Sequence, residues 1–203
     1  MKLFKPPRLT NWVFPRLRWR FSISEPTVFI TFDDGPNPEI TSFVLDLLKE
    51  YQWKATFFCV GQNIIKYPEL FQRIVAEGHV IGNHTMKHLN SVKTANELYL
   101  ASFREFEHMH PTKLFRPPYG RIKPSIAKEI GKTHRIIMWS WLSYDYDLSV
   151  SNERILSEAK RIKKGDILVL HDNAKIAERQ KILLPELFQL LKKTGFSSEV
   201  ISA

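Results

Sequence analysis

The chain has 203 residues, 43% of them hydrophobic and 25% charged, and a net charge of +9. That length allows one domain with a sizeable buried core, and the composition excludes disordered, collagen-like and repeat architectures. No run of 18 apolar residues occurs, so no membrane-spanning helix is predicted.

Residues 1–25 carry Lys2, Lys5, Arg8, Arg16, Arg18 and Arg20 against one acid, Glu25, interleaved with Phe4, Trp12, Phe14, Trp19 and Phe21. They read as a basic, aromatic N-terminal extension ahead of a domain at 26–203. Such a segment suits peripheral association with a membrane or another anionic partner, or docking of its aromatic rings on its own domain, which is the favoured reading. Pro15, Arg16, Arg18 and Arg20 interrupt the apolar stretch of about 7–15 residues that a secretory signal needs. The expectation is therefore a monomer that is cytoplasmic or peripheral to a membrane.

Val28–Phe32 is a short, β-branched apolar run ending in Asp33-Asp34-Gly35-Pro36, which reads as a buried strand entering a turn. A helix is expected from about Ile40 to Glu50, with Phe43, Val44, Leu47 and Leu48 on one face. Ala55–Val60 is the second strand and holds the single cysteine, Cys59, as a buried, inert thiol; no internal disulfide can form. Pro68–Glu77 is helical and stops at Gly78, and His79–Ile81 is the third strand. Thr94 with Glu97 has the form of a capping box opening a helix to about His108. Lys113–Arg116 is a strand halted by Pro117-Pro118, and Pro124 opens a short helix. Ile136–Trp139 is a strand, Ser151 caps a helix to about Ile162, and Gly165 leads into strand Ile167–Leu170. Leu184–Leu191 is helical, and a last strand lies near Glu199–Ile201. This alternation predicts an α/β fold of parallel strands with crossover helices, as a distorted or incomplete (β/α) barrel; an open doubly wound sheet is the alternative.

Asp33 and Asp34, His84 and His88, Arg116, Asp145 and His171 all follow expected strands, at the carboxyl ends where sites form in such folds. His84-Thr85-Met86-Lys87-His88 places two imidazoles on one face if it forms a helical turn. Two histidines and a carboxylate make a zinc-type donor set with one position open, although histidines at that spacing also occur as local hydrogen-bonding pairs. Asp-Asp-Gly-Pro is ordinary turn chemistry, and it also lets one carboxylate bind metal while its neighbour serves as base. In Arg116-Pro117-Pro118-Tyr119-Gly120 the backbone donors begin at Tyr119, available to an oxyanion unless the loop is merely rigid. His171 is either a general acid or a structural residue.

Taken together, Thr31–Pro36, His84–His88, Arg116–Gly120, Trp139–Asp147 and Leu168–Asp172 resemble the NodB-homology polysaccharide deacetylases, carbohydrate esterase family 4, in motif order. The resemblance implies a distorted (β/α) barrel of the NodB type and a metal-dependent hydrolase that removes acetyl groups from amino sugars or other acetylated polysaccharides of chitin, peptidoglycan or xylan type. It implies a divalent metal, usually Zn2+ with Co2+, Ni2+ or Mn2+ as alternatives, held by Asp34, His84 and His88. Asp33 would be the catalytic base, Arg116 would orient it, and the Tyr119 amide would face the oxyanion. His171 would be the general acid, tuned by Asp145 or, as its rival, Asp147. Leu170, Pro117 and Trp141 would contact substrate.

One segment departs from the family pattern, because Leu142 and Tyr146 stand where an acid and a tryptophan are common. A same-fold hydrolase of small amides or esters and an inactive glycan-binding protein are the competing readings. Nucleic acid is not an expected partner, since the basic excess sits in the extension and no recognised motif accompanies it.

Overall fold

The computed structural model describes residues 2–7, 10 and 14–202; Arg8 and Trp12 of the extension lie outside them. In chain order the elements are β1 (Leu17–Arg18), β2 (Thr27–Asp33), α1 (Thr41–Tyr51), β3 (Thr56–Cys59), α2 (Gly61–Lys66), α3 (Pro68–Ala76), β4 (Val80–Asn83) and α4 (Asn96–Met109). They continue with β5 (Leu114–Phe115), α5 (Pro124–Ile130), β6 (Arg135–Ile137), β7 (Trp141–Leu142), α6 (Asn152–Ala159), β8 (Ile167–His171), α7 (Ala177–Lys193) and β9 (Ser197–Ser198). The strands run in the order β1-β6-β5-β4-β3-β2-β8-β7, with β9 on β2, and each of these pairings is parallel.

Strand β2 shows how the chain builds both faces of this sheet. Side chains alternate along a strand. Val28, Ile30 and Phe32 join the core shared with α1, α6 and α7, whereas Phe29 joins Phe58, Leu114, Ile137 and Ile167 in a second cluster inside the curl. Thr31 and Asp33 continue the inward series, so the first carboxylate stands at the rim, directly above the barrel filling. Burial on both faces is why the run lacks polar alternation.

The sheet curls into a half-barrel. Its β1 end is tied to β8, one strand in from the other end, through an isolated antiparallel bridge between Arg20, just past β1, and Asp166, just before β8. The described residues of the extension thus pack on the domain that follows, as the docking reading expects. Phe4 is buried in the main core, its carbonyl accepts from the Leu142 amide, and the Arg18 carbonyl accepts from Met138. No helix among the described residues is long and apolar enough to cross a membrane.

Several local expectations change. Helix α4 starts at Asn96 with Ala95 as N-cap and no side-chain cap, so the Thr94–Glu97 capping box does not form; the Thr94 carbonyl instead accepts from Lys123 Nζ at 2.8 Å. Helix α7 begins at Ala177 and runs through Pro185. Burial of Leu183, Leu184, Leu187, Phe188 and Leu191 along one face outweighs the ~3 kcal/mol that an internal proline costs. The final strand is Ser197–Ser198, earlier than Glu199–Ile201.

Candidate active site

The rim collects Asp33 at the end of β2, His84 directly after β4, Arg116 directly after β5, Asp145 after β7 and His171 at the end of β8. Asp33 and His171 are register partners across β2 and β8.

His84 and His88 do not share a helical turn. The segment after β4 is irregular, with positive φ at Thr85 (64°) and His88 (51°), and this path brings the rings to 5.1 Å centroid separation. Asn83 Oδ1 accepts from the Thr85 amide at 2.7 Å, while Asn83 Nδ2 donates to Glu107 and to the Phe103 carbonyl, anchoring the loop to α4.

Asp34 also has positive φ, at 83°. Its carbonyl accepts from Asn63 Nδ2 at 2.7 Å and its Oδ2 from Asn173 Nδ2 at 3.0 Å, leaving Oδ1 3.1 Å from His88 Nε2 and 3.8 Å from His84 Nε2. One ligand atom from each of Asp34, His84 and His88 lies within 4.8 Å of the others. His84 Nδ1 lies 2.8 Å from the Arg116 carbonyl, which can only accept, so Nδ1 carries the proton and Nε2 keeps its lone pair. Burial lowers the His84 pKa to about 4, which keeps the ring neutral as a ligand must be. Burial acts to raise the Asp34 carboxyl, but the His88 hydrogen bond and the charges of His171, His84 and His88 outweigh it and hold it well below the usual range. A neutral imidazole with its lone pair free, a second imidazole and an ionised carboxylate fit a divalent cation of zinc type.

Arg116 is fully buried and donates to Asp33 Oδ1 at 2.7 Å, to Thr31 Oγ1 at 2.6 Å, and to the carbonyls of Ile137 and Met138. Its guanidinium also lies 4.1 Å from the Phe58 ring centroid. The following turn donates its own bonds from Gly120 and Arg121. Tyr119 sits there with φ 61°, its side chain exposed and packed edge-on to His88. Pro117 is buried.

His171 Nδ1 lies 2.7 Å from Asp145 Oδ1, and Asp145 Oδ2 accepts from the His171 amide and from Gln180 Nε2. Asp147 instead pairs with Lys2 and Ser149 on the surface, so Asp145 is the carboxylate partner of His171. Burial acts to depress the imidazolium, but Asp145, with Asp34 and Asp33 behind it, outweighs this and pushes the His171 pKa up to about 9. Tyr146 packs edge-on to His171 at 5.0 Å.

Two expected substrate contacts do not hold. Trp141 and Leu170 are fully buried in the helix-facing core, Trp141 beside Phe4, and offer no surface to a ligand. Strand alternation explains Leu170, because Ile167, Val169 and His171 take the inward positions of β8. Val169 is therefore the apolar side chain beneath His171. Cys59 is a buried thiol whose pKa burial, then Asp172 and Asp33, push upward, in keeping with the expected inert role.

Several supporting residues join the site through contacts that are distant in sequence. Asp172 accepts from the Gly35 amide at 2.9 Å and from the Thr41 hydroxyl at 2.6 Å, clamping the turn that carries both aspartates to the end of β8. Burial first, then Asp34 and Asp33, raise the Asp172 pKa to about 8 against these hydrogen bonds. A Cβ at Gly35 would lie 2.1 Å from Asp172 Oδ2, which explains a glycine there. Adjacency to His171 is the one signal for Asp172 and Asn173, whereas Asn63 and Gln180 come from α2 and α7 and carry none.

Residues 22–135 match the family described as polysaccharide deacetylase. A peptidoglycan-N-acetylglucosamine deacetylase of Bacillus cereus is 36% identical over 194 residues, which span 91% of this chain and 90% of that protein. A chitooligosaccharide deacetylase of Azorhizobium caulinodans is 32% identical over 161 residues, 75% of this chain and 77% of that one. The crystal structure of a peptidoglycan N-acetylglucosamine deacetylase in complex with 4-naphthalen-1-yl-N-oxidanyl-benzamide superposes with a TM-score of 0.87 at 30% identity, covering 97% of this chain and 95% of that chain. By the extent of these matches, and by the fold they share, the chain belongs to the polysaccharide deacetylase family.

Proposed function

We propose that the chain is a metal-dependent deacetylase that hydrolyses the acetamide of N-acetylglucosamine units in a peptidoglycan-type glycan. The observation that carries this reading is the three-part rim: the donor set Asp34, His84 and His88, flanked by the Asp33–Arg116 pair and the His171–Asp145 pair. The substrate follows from two relatives, matched over 90% and 95% of their own length, that are named for peptidoglycan N-acetylglucosamine.

Asp34, His84 and His88 would hold the cation, which we assign as zinc on its mixed nitrogen and oxygen donors. Such an ion supplies Lewis acidity, polarising the acetyl carbonyl and making water more acidic. Asp33, fixed by Arg116, takes the proton of the attacking water. The Tyr119 amide donates to the oxygen that gains charge as the carbonyl becomes tetrahedral. His171, held protonated by Asp145, delivers a proton to the departing sugar nitrogen, which would otherwise leave poorly. Exposed Tyr119 and Tyr146 flank the opening.

The test is acetate release from peptidoglycan fragments, N-acetylglucosamine oligomers, acetylated xylan and small acetamides, before chelation, after it and after zinc is restored. Zinc-restored release that is greatest from the peptidoglycan fragments supports the reading. Release confined to xylan or small acetamides would replace the substrate assignment, and no release from any would overturn the activity.

A further inference from the structure

Two clefts lie along the line where the N-terminal extension closes the half-barrel, and they meet at Arg20. The larger, about 640 Å³, runs between the extension and the loop before β8, and the smaller, about 350 Å³, continues past Arg18. Their walls bring together Lys5, Arg18, Arg20, Arg161, Lys163 and Lys164. Asp166 lines neither cleft; it is fully buried behind them and is taken up by Lys5, Arg20 and the Lys163 amide. Arg161 pairs with Glu158, while Arg18, Lys163 and Lys164 form no ion pair among the described residues. Six cations and no acid in the walls, with Asp166 behind them, are a large part of the chain's excess of nine positive charges. Burial first, and then Arg20 and Lys163, hold the Lys5 ammonium below its ordinary pKa against the pull of Asp166. The cations therefore repel one another where they converge. The indole N–H of Trp19, in the wall of the larger cleft, is buried without a protein acceptor.

We propose that these joined clefts bind a linear polyanion bearing successive phosphate groups, laid across Arg20. The cations are strung along two connected clefts, which matches repeated charge on a chain better than one compact ion. Nucleic acid is a poorer fit, because bases need free aromatic faces. The rings here are already engaged, Trp19 edge-on to Trp139 and Phe21 tilted against Phe29. A bilayer is also a poorer fit, since it meets convex apolar side chains, and the exposed Leu3 and Phe14 lie outside the cleft walls. The clefts share no residue with the rim. Asp166 precedes His171 by five residues of β8, about 16 Å at a strand's rise, so both sites can be filled together.

The experiment is calorimetric titration of the full chain with linear polyphosphate at about 0.15 M salt, where surface attraction beyond ~8 Å is screened. Orthophosphate, single-stranded DNA of matched charge and anionic phospholipid vesicles serve as comparison ligands. Saturable polyphosphate binding is expected, weakened about tenfold or more in the Arg161→Glu/Lys163→Glu/Lys164→Glu variant and by a smaller factor in Lys163→Gln/Lys164→Gln, a milder change should the first fail to fold. Acetate release from short oligosaccharides should be the same in both variants as in the parent. The proposal is overturned by absent or non-saturable polyphosphate binding, by binding that both variants retain, or by orthophosphate, DNA or vesicles binding as tightly as polyphosphate.

Discussion

Gln180 donates through its side-chain amide to Asp145 Oδ2 at 2.6 Å, and through the same nitrogen to the His171 carbonyl at 2.7 Å. One fully buried residue of α7 thereby ties the proton donor and its carboxylate partner to a single helix. Its neighbour Arg179 donates to the carbonyls of Asp145, Asp147 and Val150, so the loop carrying Asp145 and Tyr146 hangs from the same turn of α7. Replacing Gln180 by leucine keeps the volume and removes both bonds. We expect kcat to fall by about 10–100-fold with KM little changed, as for other residues that orient a catalytic group. Steady-state kinetics on N-acetylglucosamine oligomers measures this, and a kcat within twofold of the parent would remove Gln180 from the account.

The acid limb of the mechanism sets a pH dependence. His171 must be protonated to act, and its folded pKa is pushed up to about 9, above the ordinary 6.5. Activity is therefore expected to persist through neutral pH and to fall as pH rises through the folded value. A cation on Asp34 offsets part of the negative charge that supports the imidazolium, so the observed limb should lie below 9. Stability has the same sign: a raised histidine contributes fully below its unfolded pKa of ~6.5, and that contribution is lost as pH rises through the folded one. In Asp145→Asn the alkaline limb should move down by more than one pH unit, read from the kcat/KM profile. An unmoved limb would mean that another group donates the proton.

Arg116 is the structural cost of holding Asp33 in place. Its guanidinium has no exposure, and Asp33 is 5% exposed, so Arg116→Met leaves a buried carboxylate without its partner. The expected loss is about 3–5 kcal/mol of stability, together with activity. Adding Asp33→Leu removes the orphaned charge, and this double variant should regain much of the stability while staying inactive. Denaturant unfolding of the single and double variants separates the two roles. Equal stability of both variants would contradict the ion-pair argument.

How far these features could be read in advance depends on how local their causes are. Strand β2 was legible because an uninterrupted apolar run followed by Asp33-Asp34-Gly35-Pro36 has few other solutions. Ser151 announced α6, and its side chain does accept from the Arg154 amide. The rim also followed from strand order alone, since parallel strands with crossover helices bring their carboxyl ends together.

Other features needed contacts distant in sequence. The spacing of His84 and His88 suggested a helical turn, but Asn83, anchored on Glu107 and Phe103, pulls the loop into a path with two positive φ values. The family resemblance gave Trp141 as a substrate contact; Phe4, 137 positions earlier, lies against it in the core. The extension appeared separable because its charge stands out. Its pairing with β6 and its ties to Asp166 depend on where the sheet ends, which no local pattern encodes.

The central claim is that Asp33 acts as base beside a cation held by Asp34, His84 and His88, and Asp33→Asn tests it most directly. The substitution keeps the shape and removes the base while leaving the three ligands untouched. Zinc binding and acetate release from N-acetylglucosamine oligomers should be measured on the same preparation. We predict one zinc per chain with affinity close to that of the parent, and acetate release reduced by about 10²–10⁴-fold. Release within a few-fold of the parent, with zinc bound, would contradict the assignment of Asp33.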